Sequence, residues 1–162
     1  MSVRRLRADE AKLLKDLRLR ALADAPTAFA HTHAEISAKS DGYWEELTAS
    51  MTSRNVMFVA EDDGRAIGMA FGVLQRDQAD VPHVGGMWVD PAARTGGIGR
   101  ALTAAVLDWA CEHGFHRIGL WVTEGNAPAI TLYERMGFAP TGRRERHPFQ
   151  PELSILEMER AL

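Results

Sequence analysis

The sequence has one cysteine, Cys111, among its 162 residues. An intrachain disulfide is therefore impossible, and a cysteine-rich zinc site is excluded. Neither sign of charge is in large excess. The formal net charge is −3, which points to no nucleic-acid partner. No apolar run approaches the roughly 20 residues that a membrane-crossing helix needs, so no membrane association is expected. The basic residues of MSVRRLRADE are not followed by an apolar stretch, so the N-terminus does not read as a secretory signal. Together these absences favour a cytoplasmic location. Internal repeats and low-complexity tracts are also missing.

What is present suits an ordinary globular domain. The hydrophobic fraction of 46% can supply a core, and the length fits one domain spanning residues 1–162. No linker or shift of composition marks a second one.

The pattern of apolar residues predicts a mixed order of elements. Val3–Leu6 reads as a short strand, and Asp9 as the N-cap of a helix carrying Leu13, Leu14, Leu17 and Leu22, which ends before Pro26. Residues 26–30 read as a loop. Residues 32–49 are mostly helical, with a break near Asp41-Gly42. Val56–Ala60 and Ala66–Val73 are strands joined by the turn Asp62-Asp63-Gly64-Arg65, because Asp-Gly tolerates the positive φ of tight hairpins. A polar loop at 75–80 leads to a strand at His83–Val89, which ends at Asp90-Pro91. An amphipathic helix with Leu102, Ala105, Val106 and Trp109 on one face follows and closes at Gly114. Arg117–Val122 is a strand, Asn126 caps a helix stopped by Gly137, and Leu153–Met158 is the last strand. Arg143, Arg144, Arg146 and His147 read as a solvated loop before it. The expected fold is α/β: a mixed, mainly antiparallel central sheet flanked by helices, with a crossover helix in its second half.

The sharpest local feature is RTGGIG at 94–99, lying after a strand and before a helix. Glycines allow close approach, their N–H groups can converge, and the helix adds the positive end of its dipole. Arg94 and Arg100 add full charges, so the loop suits a pyrophosphate. It is not a P-loop, because Gly99 is followed by Arg100-Ala101 rather than Gly-Lys-Ser/Thr. It is not a dinucleotide fingerprint either, because Leu102 stands where a third small residue is required.

Two segments now carry a resemblance. MWVDPAARTGGIGRAL at 87–102 is similar to the Arg/Gln-x-x-Gly-x-Gly/Ala signature of the GNAT superfamily of acyltransferases. NAPAITLYERMGF at 126–138 resembles a second motif of the same superfamily, in the same order. The resemblance implies a GNAT-type fold and acetyl-CoA as co-substrate. It implies a pyrophosphate on the amides of Thr95, Gly96, Gly97, Ile98, Gly99 and Arg100, with Arg94 beside them. It places the pantetheine arm along the backbone of Met87, Trp88 and Val89, with Gly85-Gly86 as a bulge that helps two strands splay. Asn126 would touch that arm from the other side and Tyr133 would face the sulfur.

The implied reaction is acetyl transfer to a primary amine by direct attack in a ternary complex. Backbone N–H groups near Val89 would stabilise the oxyanion, and the Tyr133 phenol would protonate the departing thiolate. His83 is the first candidate for general base, although a strand-end histidine facing solvent is the simpler expectation. Glu35 and Glu124 are further candidates, most simply read as solvated charges. Cys111, within the amphipathic helix, is expected to be a buried structural thiol. Phe29, Tyr43 and Trp44 fall where family members form the acceptor pocket. His31 and His33 do not have a ligand spacing, and no metal is expected. A small amine or amino-acid-like acceptor leads. A protein N-terminus or lysine, or a CoA-binding module without catalysis, stay open. A homodimer is a further possibility, since family members often dimerise.

Overall fold

The computed structural model describes residues 1–51, 54–74 and 80–162, so most of the expected loop at 75–80 lies outside the described residues. The elements are β1 (Ser2–Arg5), α1 (Ala11–Asp24), α2 (His33–Ser37), α3 (Asp41–Ala49), β2 (Asn55–Asp62), β3 (Arg65–Leu74), β4 (Pro82–Val89), α4 (Ile98–Glu112), β5 (Arg117–Thr123), α5 (Ala127–Arg135), β6 (Ala139–Arg146) and β7 (Ser154–Ala161). The strands form one sheet in the order β1-β2-β3-β4-β5-β7-β6. The β4–β5 pair alone is parallel, and α4 is its crossover, as the expected α/β class requires.

Both faces of β2 are covered. Along β2, Val56, Phe58 and Ala60 face a core beneath α4, which includes Leu102, Val106 and Trp109. Met57 and Val59 face a second core made with Leu14, Leu17 and Leu22 of α1, Ile36 of α2 and Trp44 of α3. Alternation of period two thus appears as two apolar stripes, because neither face meets water. The β2–β3 turn pairs Asp62 with Arg65, and Asp63 and Gly64 take φ of 47° and 76°, the hairpin geometry that Asp-Gly favours.

Three local expectations are corrected. Glu10, not Asp9, is the N-cap of α1, and its carboxylate accepts from Arg4 and from the Arg7 N–H rather than capping the helix. The break in the helical region falls earlier, at residues 38–40, where Ser40 Oγ accepts from the Tyr43 N–H and starts α3. The basic run Arg143–Arg146 is not a loop. It ends β6, an edge strand whose side chains are all exposed, so no apolar alternation betrays it.

Candidate active site

Two neighbouring strands diverge at the centre of the sheet. β4 and β5 pair at His83–Gly119 and Val84–Leu120 and no further. Beyond that point the β5-facing backbone of Gly85–Val89 has no partner strand. The cause is local: Gly86 takes φ of 55°, a conformation costly to any other residue, and the β3–β4 register slips between Met69–Trp88 and Phe71–Gly85. The expected bulge therefore lies where the strands part.

The glycine loop sits just past the end of β4. A short 3₁₀ turn at Pro91–Ala93 leads into it, and Gly97, at φ of 73°, is the N-cap of α4. Ala101 N–H bonds to the Gly97 carbonyl, but no backbone acceptor among the described residues serves the N–H groups of Ile98, Gly99 and Arg100. Thr95, Gly96, Gly97 and Arg100 are exposed, whereas the Ile98 side chain is buried in the core beneath α4. A Cβ at Gly99 would come 3.1 Å from Leu132, so this glycine also lets α5 approach α4. Arg94 does not extend freely beside the loop. It pairs with Asp24 and donates from Nε to the Val89 carbonyl at 3.1 Å. Asp24 also accepts from the Trp88 indole at 2.9 Å, which ties the end of α1 to the end of β4. Arg100 lines a hollow shared with Arg135 and Arg160, two cations that sequence patterns did not mark.

Asn126 Oδ1 accepts from the Ala129 N–H at 3.4 Å and so caps α5, leaving its amide nitrogen without a partner among the described residues. Seven residues later, Tyr133 is buried in the core beneath α4, edge-on to Phe138. Burial pushes its phenol well above the ordinary range, so it stays protonated at neutral pH. Its hydroxyl has no hydrogen-bond partner among the described residues.

On the other face, a cavity of about 450 Å³ opens over the point where the strands part. Its floor is Phe71, Gly85, Gly86 and Trp121, and its walls include the expected Phe29, Tyr43 and Trp44. His83 lines it too. Contrary to the solvent-facing expectation, His83 is 2% exposed, because β5 and β7 cover it and Gly119 offers no side chain in its way. Nδ1 lies 3.0 Å from the Val81 carbonyl, which can only accept, so Nδ1 carries the proton. Nε2 is left with its lone pair, buried and without a protein partner among the described residues. Burial lowers the pKa of His83 below the usual histidine value, outweighing the raising influence of the Val81 carbonyl and of Glu157.

The other candidates lie elsewhere. Glu35 closes a capping box with Thr32 at the start of α2, and Glu124 pairs with Arg144; neither lines the cavity. Cys111 is exposed, not buried, because α4 turns that position to solvent beside Glu112. His31 lines the cavity and His33 does not. Two further cavity residues were not expected there, and His147 corrects the reading of a solvated loop. His147 is buried, with Nε2 donating to the Thr27 carbonyl and Nδ1 accepting from the Phe149 and Gln150 N–H groups. Arg18 sits in α1 among Lys12, Lys15 and Arg20, and nothing in their spacing sets it apart.

A family model described as "Acetyltransferase (GNAT) family" matches residues 18–138. The mycothiol acetyltransferase of Thermomonospora curvata is 35% identical over 119 residues, which cover 74% of this chain and 37% of that protein. The chain thus spans well under half the length of such relatives. A GCN5-related N-acetyltransferase from Kribbella flavida has a similar structure, with a TM-score of 0.79, 28% identity, and coverage of 99% of this chain and 97% of that one. The fold is also that of yncA from Salmonella typhimurium, a putative acetyltransferase solved with its cofactor acetyl-CoA. The TM-score there is 0.83 at 18% identity, with 100% of this chain and 94% of that one covered. With a family match that reaches from α1 through the second glycine motif, the chain belongs to the GNAT family of acetyltransferases.

Proposed function

We propose that the protein transfers an acetyl group from acetyl-CoA to the primary amine of a small molecule, by direct attack in a ternary complex. The observation that carries this reading is the junction of two half-sites. An apolar cavity of small-molecule size meets the free backbone edge of β4 where β4 and β5 part. The residues fit acetyl-CoA. The N–H groups at the start of α4 suit its pyrophosphate, with Arg100 and Arg135 close by, and the open edge of Met87–Val89 suits an extended amide-bearing arm. When bound there, acetyl-CoA supplies an activated acyl group and a thiolate leaving group.

The chain's own residues supply the rest. His83, a neutral imidazole that lines the cavity and whose buried Nε2 has no protein partner among the described residues, takes a proton from the amine. Tyr133, a phenol held protonated by burial, gives one on the other side of the sheet. The slit between β4 and β5 is the connection between them. The expectation of a small acceptor also rests on relatives named mycothiol acetyltransferase, although the chain covers only part of them.

Calorimetric titration with acetyl-CoA, with NAD and ATP as controls, followed by thiol release over a panel of amines, tests the reading. Selective acetyl-CoA binding and amine-dependent thiol release are expected. Binding without turnover on any amine would instead establish a CoA-binding module.

A further inference from the structure

We propose that the acceptor bears a carboxylate next to its amine, as an α-amino acid does, and that Arg18 holds that carboxylate. The inference rests on the transferase reading above and goes beyond it by naming the acceptor class.

Arg18 is the reason. Its guanidinium lies over the rings of Phe29 and Phe71, at 5.4 and 5.8 Å from their centroids. It is half-buried there and desolvation lowers its pKa, yet it has no ion pair or hydrogen bond among the described residues. Arg20, two residues further along α1, shows the contrast: it pairs with both Asp16 and Asp90. A partly desolvated cation without an anion is costly, and a protein keeps one where a ligand completes the pair. No aspartate or glutamate lines the cavity. A bound molecule is therefore the anion's source.

The position of Arg18 also bears on the class. A Cβ built on Gly86 would stand 3.4 Å from Arg18 Nη1, so the guanidinium lies beside the bulge where β4 and β5 part. A carboxylate held there leaves an amine one carbon away at the slit, within the cavity that His83 also lines. The planar fork of a guanidinium matches a carboxylate in two parallel hydrogen bonds. A single guanidinium neutralises one charge, which suits a carboxylate better than a phosphate dianion. Apart from Thr123 and three histidines, the rest of the lining, including Phe29, Tyr43, Trp44 and Trp121, is apolar or aromatic, which favours an apolar side chain on the amino acid. The same lining disfavours polycationic amines, which would meet Arg18 with no acid to offset it.

The test compares matched pairs: L-tryptophan with tryptamine, L-phenylalanine with 2-phenylethylamine, and O-phosphoethanolamine as a phosphate-bearing amine. A charged hydrogen-bonded pair corresponds to about a 10- to 100-fold higher kcat/KM for the amino acid than for its decarboxylated partner. The difference is expected mainly in KM. In Arg18→Gln the ratio collapses towards one, and Arg18→Lys, which keeps the charge without the fork, gives an intermediate ratio. Equal use of both partners by the wild type, or a preference for the decarboxylated one, overturns the inference and leaves the transferase reading standing. Preferred acetylation of O-phosphoethanolamine overturns the carboxylate assignment. A loss of kcat with all amines alike in Arg18→Gln also overturns it, because the guanidinium would then act on the reaction and not on the acceptor. If no compound is acetylated, calorimetry decides. Binding of tryptophan but not tryptamine, abolished in Arg18→Gln, supports the inference although the transferase reading fails; binding of neither overturns it.

Discussion

The Nδ1–H of His83 donates to the carbonyl of Val81 across 3.0 Å, which leaves Nε2 as a buried acceptor without a protein partner among the described residues. The imidazole is thereby locked in the tautomer that a general base requires. Its pKa is lowered by burial, so the His83-dependent limb of kcat/KM should lie on the acid side of 6.5, with activity falling as pH drops through it. Changing His83→Gln should remove that limb and cut kcat/KM by about 100-fold, the low end for a general base. The same shift bears on stability. The unfolded chain binds a proton at this site more readily than the folded one, so the contribution is complete above the unfolded value and is lost as pH falls below it. Urea unfolding at pH 5 and 7.5 should show a smaller pH difference for His83→Gln than for the wild type.

Tyr133 offers a different signature. Its phenol is buried and its pKa raised, so it does not ionise across the neutral range and contributes no basic limb there. Replacing it by Phe removes one oxygen and leaves the edge-on contact with Phe138. Acetyl-CoA affinity should change little, while kcat falls about 100-fold if the phenol is the proton donor. Single-turnover kinetics beside calorimetry separate the two; equal turnover would assign Tyr133 to packing alone.

Gly97 separates backbone cost from ligand contact. A Cβ there meets nothing within 4 Å, so its only burden is the φ of 73°. Gly97→Ala should therefore cost about 1–2 kcal/mol in stability from the left-handed conformation. Gly97→Glu should cost a similar amount, but it also brings a negative charge to the start of α4. Its affinity for acetyl-CoA should fall at least tenfold beyond that of Gly97→Ala. Matched affinities in the two variants would move the pyrophosphate away from this loop.

The elements that were legible in the sequence are those whose physics is local. The hairpin at Asp63-Gly64, the N-cap at Asn126 and the glycine loop each follow from a few residues that tolerate special backbone geometry. The features that sequence reasoning missed depend on distant partners. β6 is solvated on both faces and pairs only with β7, so its pattern carries no periodic signal. His83 looks like a strand-end residue until β5 arrives with Gly119. Arg18 differs from its neighbours on α1 solely because Phe29, Phe71 and Gly86 converge on it. A helix of mixed Leu, Lys and Arg contains no clue to which cation will be buried.

Cys111 lies on the outer side of α4 and is exposed. A thiol reagent should label the native protein completely, without the lag that local unfolding imposes on a buried thiol. Cys111→Ala should keep wild-type kcat, because the residue lines neither the cavity nor the glycine loop. Protection of the thiol in the native protein would contradict its placement.

Gly85 and Gly86 are adjacent, yet the structure assigns them different burdens. Gly85 has an ordinary φ, and a Cβ there would meet Val73 at 3.9 Å, a normal contact. Gly86 has φ of 55°, and a Cβ would come within 2.5 Å of the Phe71 ring. Gly85→Ala should therefore unfold at nearly the wild-type midpoint in urea. Gly86→Ala should lose about 2–5 kcal/mol, the sum of a left-handed Ala and an overpacked contact. The chain can escape part of that cost by flattening the bulge, which restores β4–β5 pairing and closes the slit. A Gly86→Ala protein that regained stability in this way would bind acetyl-CoA weakly. Retained stability together with full acetyl-CoA affinity would show that the parting of β4 and β5 does not depend on Gly86.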